Sequence, residues 1–152
     1  MKAVIQRVSH ASVVVDGQTV GSCREGYLIL LGVAEGDTET DAELLAKKIV
    51  NLRIFQDENE KMNRSIKDID GEMLVISQFT LLADYRHGNR PDFLASAKPD
   101  EANRLYEYFK ELVSREIRRV ESGVFGAHME VSLLNNGPVT IVMDSEVLKK
   151  KK

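Results

Sequence analysis

After Gly26 the chain runs Tyr27-Leu28-Ile29-Leu30-Leu31-Gly32-Val33 without a charged side chain. Such a run has the length of a strand and falls far short of the ~20 apolar residues that a membrane helix needs. Because apolar groups occupy both alternating faces, it predicts a strand buried on two sides, which the rest of the chain must cover. The 152 residues suit one domain. A chain of that size buries roughly 68–70% of its unfolded surface and needs neither staples nor a structural metal to hold a core.

The neighbouring segments supply more strands. Ala3, Ile5 and Arg7 alternate with Val4, Gln6 and Val8, and Val13-Val14-Val15 ends at Asp16-Gly17, a strong hairpin signal. Residues 73–76, 129–134 and 139–143 read as further strands, with Gly71 and Asn135-Asn136-Gly137-Pro138 as the turns before two of them. Helical spacing appears twice. Over 38–52 the apolar positions are Ala42, Leu45, Ile49 and Leu52, behind Thr38 as cap and Glu39 and Asp41 in the first turn. Over 99–117 they are Ala102, Leu105, Phe109, Leu112 and Val113, with Pro99 at the first helical position. The expected architecture is α+β (mixed α/β): one compact domain over 1–144, a largely antiparallel sheet curled like a barrel, and two main helices outside. Residues 145–152 read as a charged, frayed, disordered tail.

Charge narrows the partners. The chain holds 21 Lys and Arg against 24 Asp and Glu, and its last eight residues take four of the lysines and one glutamate. That leaves 17 basic against 23 acidic residues over 1–144, which excludes a protein that coats DNA by bulk charge but permits a local RNA contact. Cys23, the lone cysteine, has no partner for an internal disulfide or a four-cysteine zinc site. Lys2 is followed by Gln6, Arg7, Ser9 and His10 rather than an apolar signal segment, so a reducing, cytoplasmic setting without membrane association is expected.

Familiar chemistry is hard to find. Ser77 stands between Ile76 and Gln78, not in a nucleophile elbow, and His10, His87 and His128 are scattered. Arg24 beside Cys23 favours a lowered thiol pKa, set against a plain structural cysteine. Asp57-Glu58-Asn59-Glu60 fails calcium-loop spacing, since Lys61 and Met62 fall where a ligand and the turn glycine belong, and reads as a solvated acidic turn. No glycine-rich phosphate or dinucleotide loop occurs, so no metal and no cofactor is expected. Two segments stand out: Ser77-Gln78-Phe79-Thr80-Leu81, a polar pair at the end of a buried strand, and Asn135-Asn136-Gly137-Pro138-Val139-Thr140.

Together with residues 1–8, Lys61-Met62-Asn63, Gly88 with Arg90-Pro91-Asp92-Phe93, and Phe125-Gly126-Ala127-His128-Met129, these segments closely resemble the D-aminoacyl-tRNA deacylase family, in order from Met1 to about Asp144. The resemblance implies a homodimer that hydrolyses the ester between a D-amino acid, or glycine, and the 3′-terminal adenosine of tRNA. It implies a cis Gly137-Pro138 peptide reaching into the partner's site, where its carbonyls take the amino group and block an L side chain. It implies Arg7 as a support for that loop.

Within that frame Gln78, Phe79 and Thr80 are the expected catalytic residues. Backbone N–H groups at Phe79 and Thr80 would hold the oxyanion or the water, with Thr80 as covalent nucleophile the minority reading for want of a base. Ser77 and Gln78 would shape the adenosine pocket, Phe79 would stack on the base, and Phe125 and Met129 would line the pocket or merely pack. Arg115, Arg118, Arg119 and the lysine tail are candidate phosphate contacts. Two other readings stay open: an esterase for another small acyl group, and a non-catalytic dimeric module that binds a small molecule or an RNA end.

Overall fold

Strand β1 (Lys2–Val15) organises the molecule, because it pairs antiparallel with three others. Its second half turns through Asp16-Gly17, both at positive φ (50° and 78°), into β2 (Gln18–Cys23), as the hairpin signal predicts. Its first half pairs along the same edge with β3 (Gly26–Gly32), and its other edge carries β8 (Glu130–Asp144) over nearly the whole length. Strand β3 then pairs in parallel with β6 (Glu72–Ser77), and β6 with β7 (Val120–Ser122). The curled sheet nearly closes where β2 returns to β7: the Ser22 N–H donates to the Glu121 carboxylate at 2.9 Å. A small hairpin of β4 (Phe55–Gln56) and β5 (Met62–Arg64) stands apart, its acidic turn tied by the Asp57 carboxylate to the N–H groups of Asn59 and Lys61. The computed structural model describes residues 1–150, and Lys151 and Lys152 lie outside the described residues.

The two-sided burial of β3 holds. Tyr27, Ile29 and Leu31 face a large core under helices α1 (Glu39–Asn51) and α2 (Pro99–Ser114), while Leu28 faces a smaller core on the other side. Strand β6 divides the same way, Met73 and Val75 against Leu74 and Ile76. In β1 the alternation changes phase. Ala3 and Ile5 enter the large core and Val8, by the same alternation, the small one; Ala11 and Val13 enter the small one too, because the register shifts between Val8 and His10 and a one-residue slip turns side chains to the opposite face. Helix α1 starts at Thr38, whose N–H donates to the Asp41 carboxylate at 2.9 Å.

Two expectations change. Residues 129–134 and 139–143 are not separate strands joined by a turn; they belong to the single strand β8, interrupted where Asn136, Gly137, Pro138 and Val139 bulge out opposite Arg7 alone. The tail is ordered at its start: Ser145–Lys149 forms helix α3, capped by the Asp144 carboxylate accepting from the Glu146 N–H at 3.0 Å. Buried Ser145 donates to Asp41 at 2.7 Å and Lys149 pairs with the same carboxylate at 2.8 Å, which docks α3 on α1. Among the described residues no helix is long and apolar enough to cross a membrane.

Candidate active site

The clearest cleft, about 580 Å³, opens where β6 runs out. Ser77 ends the strand, and the Gln78 N–H still donates to the Leu31 carbonyl at 2.8 Å before the backbone turns through a 3-10 segment, Phe79–Leu82. Leu82 is buried and anchors this turn. Gly32 allows the approach, since a Cβ there would lie 2.7 Å from Leu82 Cδ2 and 2.9 Å from the Gln78 carbonyl oxygen. The opposite wall, residues 93–98, is laced to the chain beyond β3 by Glu35 N–H to Ala95 O at 2.8 Å and Ala97 N–H to Val33 O at 2.9 Å. Ser77, Gln78, Phe79, Phe93, Tyr106 and Phe125 all line this cleft.

Its lip combines aromatic surface with backbone donors. Phe79 is 57% exposed and meets the edge of Phe93 at a centroid distance of 5.0 Å. Tyr106 is fixed from beneath by its hydroxyl donating to the Val75 carbonyl at 2.9 Å; burial pushes that phenol up to about 12. The first N–H groups of a helical turn have no acceptor within it. Among the described residues neither the Phe79 nor the Thr80 N–H finds one elsewhere. Exposed Thr80 receives a hydrogen bond on its hydroxyl from the Gln78 amide, and no histidine or carboxylate among the described residues bonds to it.

The other expected residues lie apart from this cleft. Met129 packs beside Val131 and Leu133 on the small core, which explains it as packing. Arg7 is buried and takes the position where the alternation of Ala3 and Ile5 would set another apolar residue. Its Nη1 donates to the Ile54 carbonyl at 2.7 Å and its Nε to the Asn136 carbonyl at 3.0 Å, so it holds the bulge at the residue before Gly137. The Gly137-Pro138 peptide is cis, both residues are exposed, and Gly137 has a φ of 134°. The base of the bulge is clamped by Asn135, whose side chain accepts from the Val139 N–H at 3.0 Å and donates to the Val139 carbonyl at 3.2 Å. Arg7, Asn136 and Gly137 border a second, polar cavity of about 610 Å³ with Asp57 and Arg64.

Three readings of titratable groups resolve here. Burial, reinforced by Glu72, pushes the Cys23 thiol up to about 11, against the pull of Arg119 rather than of its neighbour Arg24, so it is a packed side chain rather than a nucleophile. His10, His87 and His128 are exposed. Arg115, Arg118 and Arg119 are engaged with Glu111, Asp70 and Glu121 respectively. The sequence reading missed Tyr106, which falls beside the Leu105 stripe rather than on it; a helical apolar face wider than 100° would have included it.

The cleft is apolar, aromatic-lipped and carries unpaired N–H groups at its mouth, the kind of lining that suits a flat ring bearing a carbonyl, and it sits on a compact α+β domain. The chain belongs to the D-Tyr-tRNA(Tyr) deacylase family, whose profile matches residues 4–144. It is 58% identical over 145 residues to a D-aminoacyl-tRNA deacylase of Dehalococcoides mccartyi, covering 95% of each chain. It is 56% identical over 146 residues to one of Caldicellulosiruptor saccharolyticus, covering 96% of this chain and 98% of the other. A solved structure titled c-Myc DNA Unwinding Element Binding Protein superposes with a TM-score of 0.90 at 40% identity, over 95% of this chain and 98% of that one. A probable eukaryotic D-amino acid tRNA deacylase shares the fold, with a TM-score of 0.79 at 16% identity over 94% and 98% of the two chains.

Proposed function

We propose that this chain is a hydrolase that cleaves the ester between a D-amino acid, or glycine, and the 3′-terminal adenosine of tRNA, releasing the amino acid and free tRNA. What carries the reading is family membership over 4–144, a span that holds both the cleft and the Gly-Pro bulge. The adenine stacks on Phe79, with Ser77, Gln78 and Phe125 around the adenosine. The Phe79 and Thr80 N–H groups take the oxygen on which negative charge develops, or place the water. One such donor is worth roughly 10²–10³ in rate. An aminoacyl ester is already activated and its ribose offers a neighbouring hydroxyl, so positioning supplies much of the remainder.

The Gly137-Pro138 bulge completes the site of a second copy, with its carbonyls on the substrate amino group and its backbone where an L side chain would go. Three observations support that arrangement. The bulge is exposed and lies outside the cleft of its own chain. Strand β8 pairs only with β1 among the described residues, leaving an edge open. Leu134 and Val142 on that strand are 49% and 75% exposed. Rejecting L rather than recognising one D side chain leaves the D side chain free to point outward, so many D-amino acids are accepted.

Release of amino acid from matched D-tyrosyl-tRNA and L-tyrosyl-tRNA tests this, each tenfold preference corresponding to about 1.4 kcal/mol. Rapid loss of the D ester with the L ester intact is the expected result; equal loss of both would identify a general esterase. The solved structure titled as a DNA-unwinding-element binder favours a second reading, a non-catalytic nucleic-acid module. No turnover of either ester by folded protein would favour it.

A further inference from the structure

We propose that the loop from Asp84 to Asp92 is the landing surface for the single-stranded nucleotides that precede the terminal adenosine of the substrate. The inference rests on the deacylase reading above and adds a place for the RNA outside the cleft. The loop leaves the sheet directly after the turn that carries Phe79 and returns at Phe93 and Leu94, so both of its stems are walls of the cleft. Its base is closed by reciprocal backbone bonds, Asp84 N–H to Asp92 O at 2.8 Å and Asp92 N–H to Asp84 O at 2.9 Å. Whatever the loop presents is therefore held at a fixed place beside the mouth.

It presents bare aromatic and apolar surface beside cations. Tyr85 is 77% exposed and Leu94 87%, and the half-exposed Phe79–Phe93 pair stands at the loop's two stems. Both acidic groups are turned onto the loop itself. The Asp84 carboxylate accepts from the Arg86 N–H at 3.0 Å and its Nε at 2.9 Å, and the Asp92 carboxylate accepts from the Leu94 N–H at 3.2 Å. Arg90 and, at the cleft wall, Lys98 make no ion pair among the described residues. An unpaired cation on the same loop as an exposed ring, with a second at the cleft wall, on a chain that is acidic elsewhere, matches the needs of a single strand: a phosphate partner and a stacking face. An apolar protein partner would leave those cations without a counter-charge.

The test compares wild type with Tyr85→Ala, Arg90→Ala and the double variant on two substrates, D-tyrosyl-tRNA and 3′-D-tyrosyl-adenosine, which lacks the preceding nucleotides. The double variant is expected to raise KM for the tRNA ester about tenfold with kcat within about twofold, and to leave the adenosine ester unchanged. Arg90→Ala alone should reduce the slope of log affinity against log salt by about 0.7, the share of one single-strand phosphate, and Arg90→Lys should restore it. Equal losses on both substrates, or no change on either, overturn the proposal. So does an altered sedimentation coefficient of the variants, which would make the loop a contact between copies of the chain. Failure of wild type to hydrolyse either ester overturns the deacylase reading itself and is thereby distinguished.

Discussion

Two of the places where regular pairing ends or breaks in this sheet carry the expected site residues, and the two are propped in opposite ways. At the end of β6 the turn through Phe79 rests on apolar material: Leu82 buried beneath it and Gly32 making room. In the middle of β8 the Gly137-Pro138 bulge rests on a buried charge, with Arg7 reaching the carbonyls of Asn136 and Ile54. The first feature lines a cleft of its own chain and the second borders a separate polar cavity. The contrast shows how much precision each asks for. An apolar prop tolerates small adjustments, whereas a guanidinium fork sets the direction of two carbonyls at once. On the proposed reading the bulge has to refuse one stereoisomer, a task better served by the second kind.

The sharpest way to break the comparison is to remove the charge. Arg7→Ala leaves the Ile54 and Asn136 carbonyls without their donor, at about 1–3 kcal/mol for each group that stays buried. Thermal unfolding should read a destabilisation of that order. D-tyrosyl-tRNA hydrolysis should fall by about 10²-fold or more, since losing a 1 Å alignment alone costs that much. Arg7→Lys should keep most of the stability and little of the activity, because an ammonium cannot serve both carbonyls in a fork. Full activity in Arg7→Lys would mean that the bulge needs only a nearby charge.

Much of this contrast was legible in the residues, and the illegible part has a physical cause. The Asp16-Gly17 hairpin, the doubly buried β3 and both main helices announce themselves through turn chemistry and apolar period. So does the rim position of Ser77 and Gln78, where a buried run turns polar. Asn135-Asn136-Gly137-Pro138 looks like an ordinary turn because composition reports local bending and says nothing of whether pairing resumes with the same neighbour. Here it resumes: Asn135 faces Val8 and Thr140 faces Gln6. The docking of Lys149 is hidden from the sequence for a related reason. Its partner, Asp41, lies on α1, over a hundred residues away in the chain, and no local pattern points to it.

That distant pair offers a smaller effect, which sharpens the comparison by acting on β1 and β8 without touching either break. The ends of these strands meet where Met1 donates its α-amino group to Ser145 at 2.9 Å and Asp41 holds Ser145 and Lys149. Burial alone would raise the Asp41 carboxyl, but hydrogen bonds from Lys149, the Thr38 N–H and Ser145 hold it at about 2, below its ordinary 3.8. A carboxyl lowered in the folded state contributes stability that is complete above its ordinary value and is lost as pH falls towards the folded one. Acid between about 4 and 2 should therefore loosen the β1–β8 edge, read as amide exchange in β8, before the parallel β3–β6 pair. Asp41→Asn should remove that pH dependence at a cost of about 2–3 kcal/mol at neutral pH, with kcat on the D ester unchanged. Simultaneous loss of protection in β6 and β8 would show that both breaks depend on one cooperative unit.

The smallest expected effect belongs to the residue that looks most like a nucleophile. Thr80 stands at the lip with its hydroxyl exposed, yet that oxygen accepts a hydrogen bond from the Gln78 amide, which cannot take a proton from it. A covalent mechanism requires a base within reach of the attacking hydroxyl and a group to orient that base. Neither is present among the described residues around Thr80. The N–H of the same residue survives substitution by any residue but proline and stays at the start of the turn that Leu82 anchors. Thr80→Ala should therefore keep activity on D-tyrosyl-tRNA within about tenfold of wild type, the scale of one lost neutral hydrogen bond. A fall of about 10⁴-fold or more in kcat, with KM unchanged, would instead place the chemistry on the hydroxyl. Such a fall would also reverse the lesson drawn from the two breaks. The apolar-propped turn would then be positioning a reacting side chain, and its tolerance for small adjustments would become a liability.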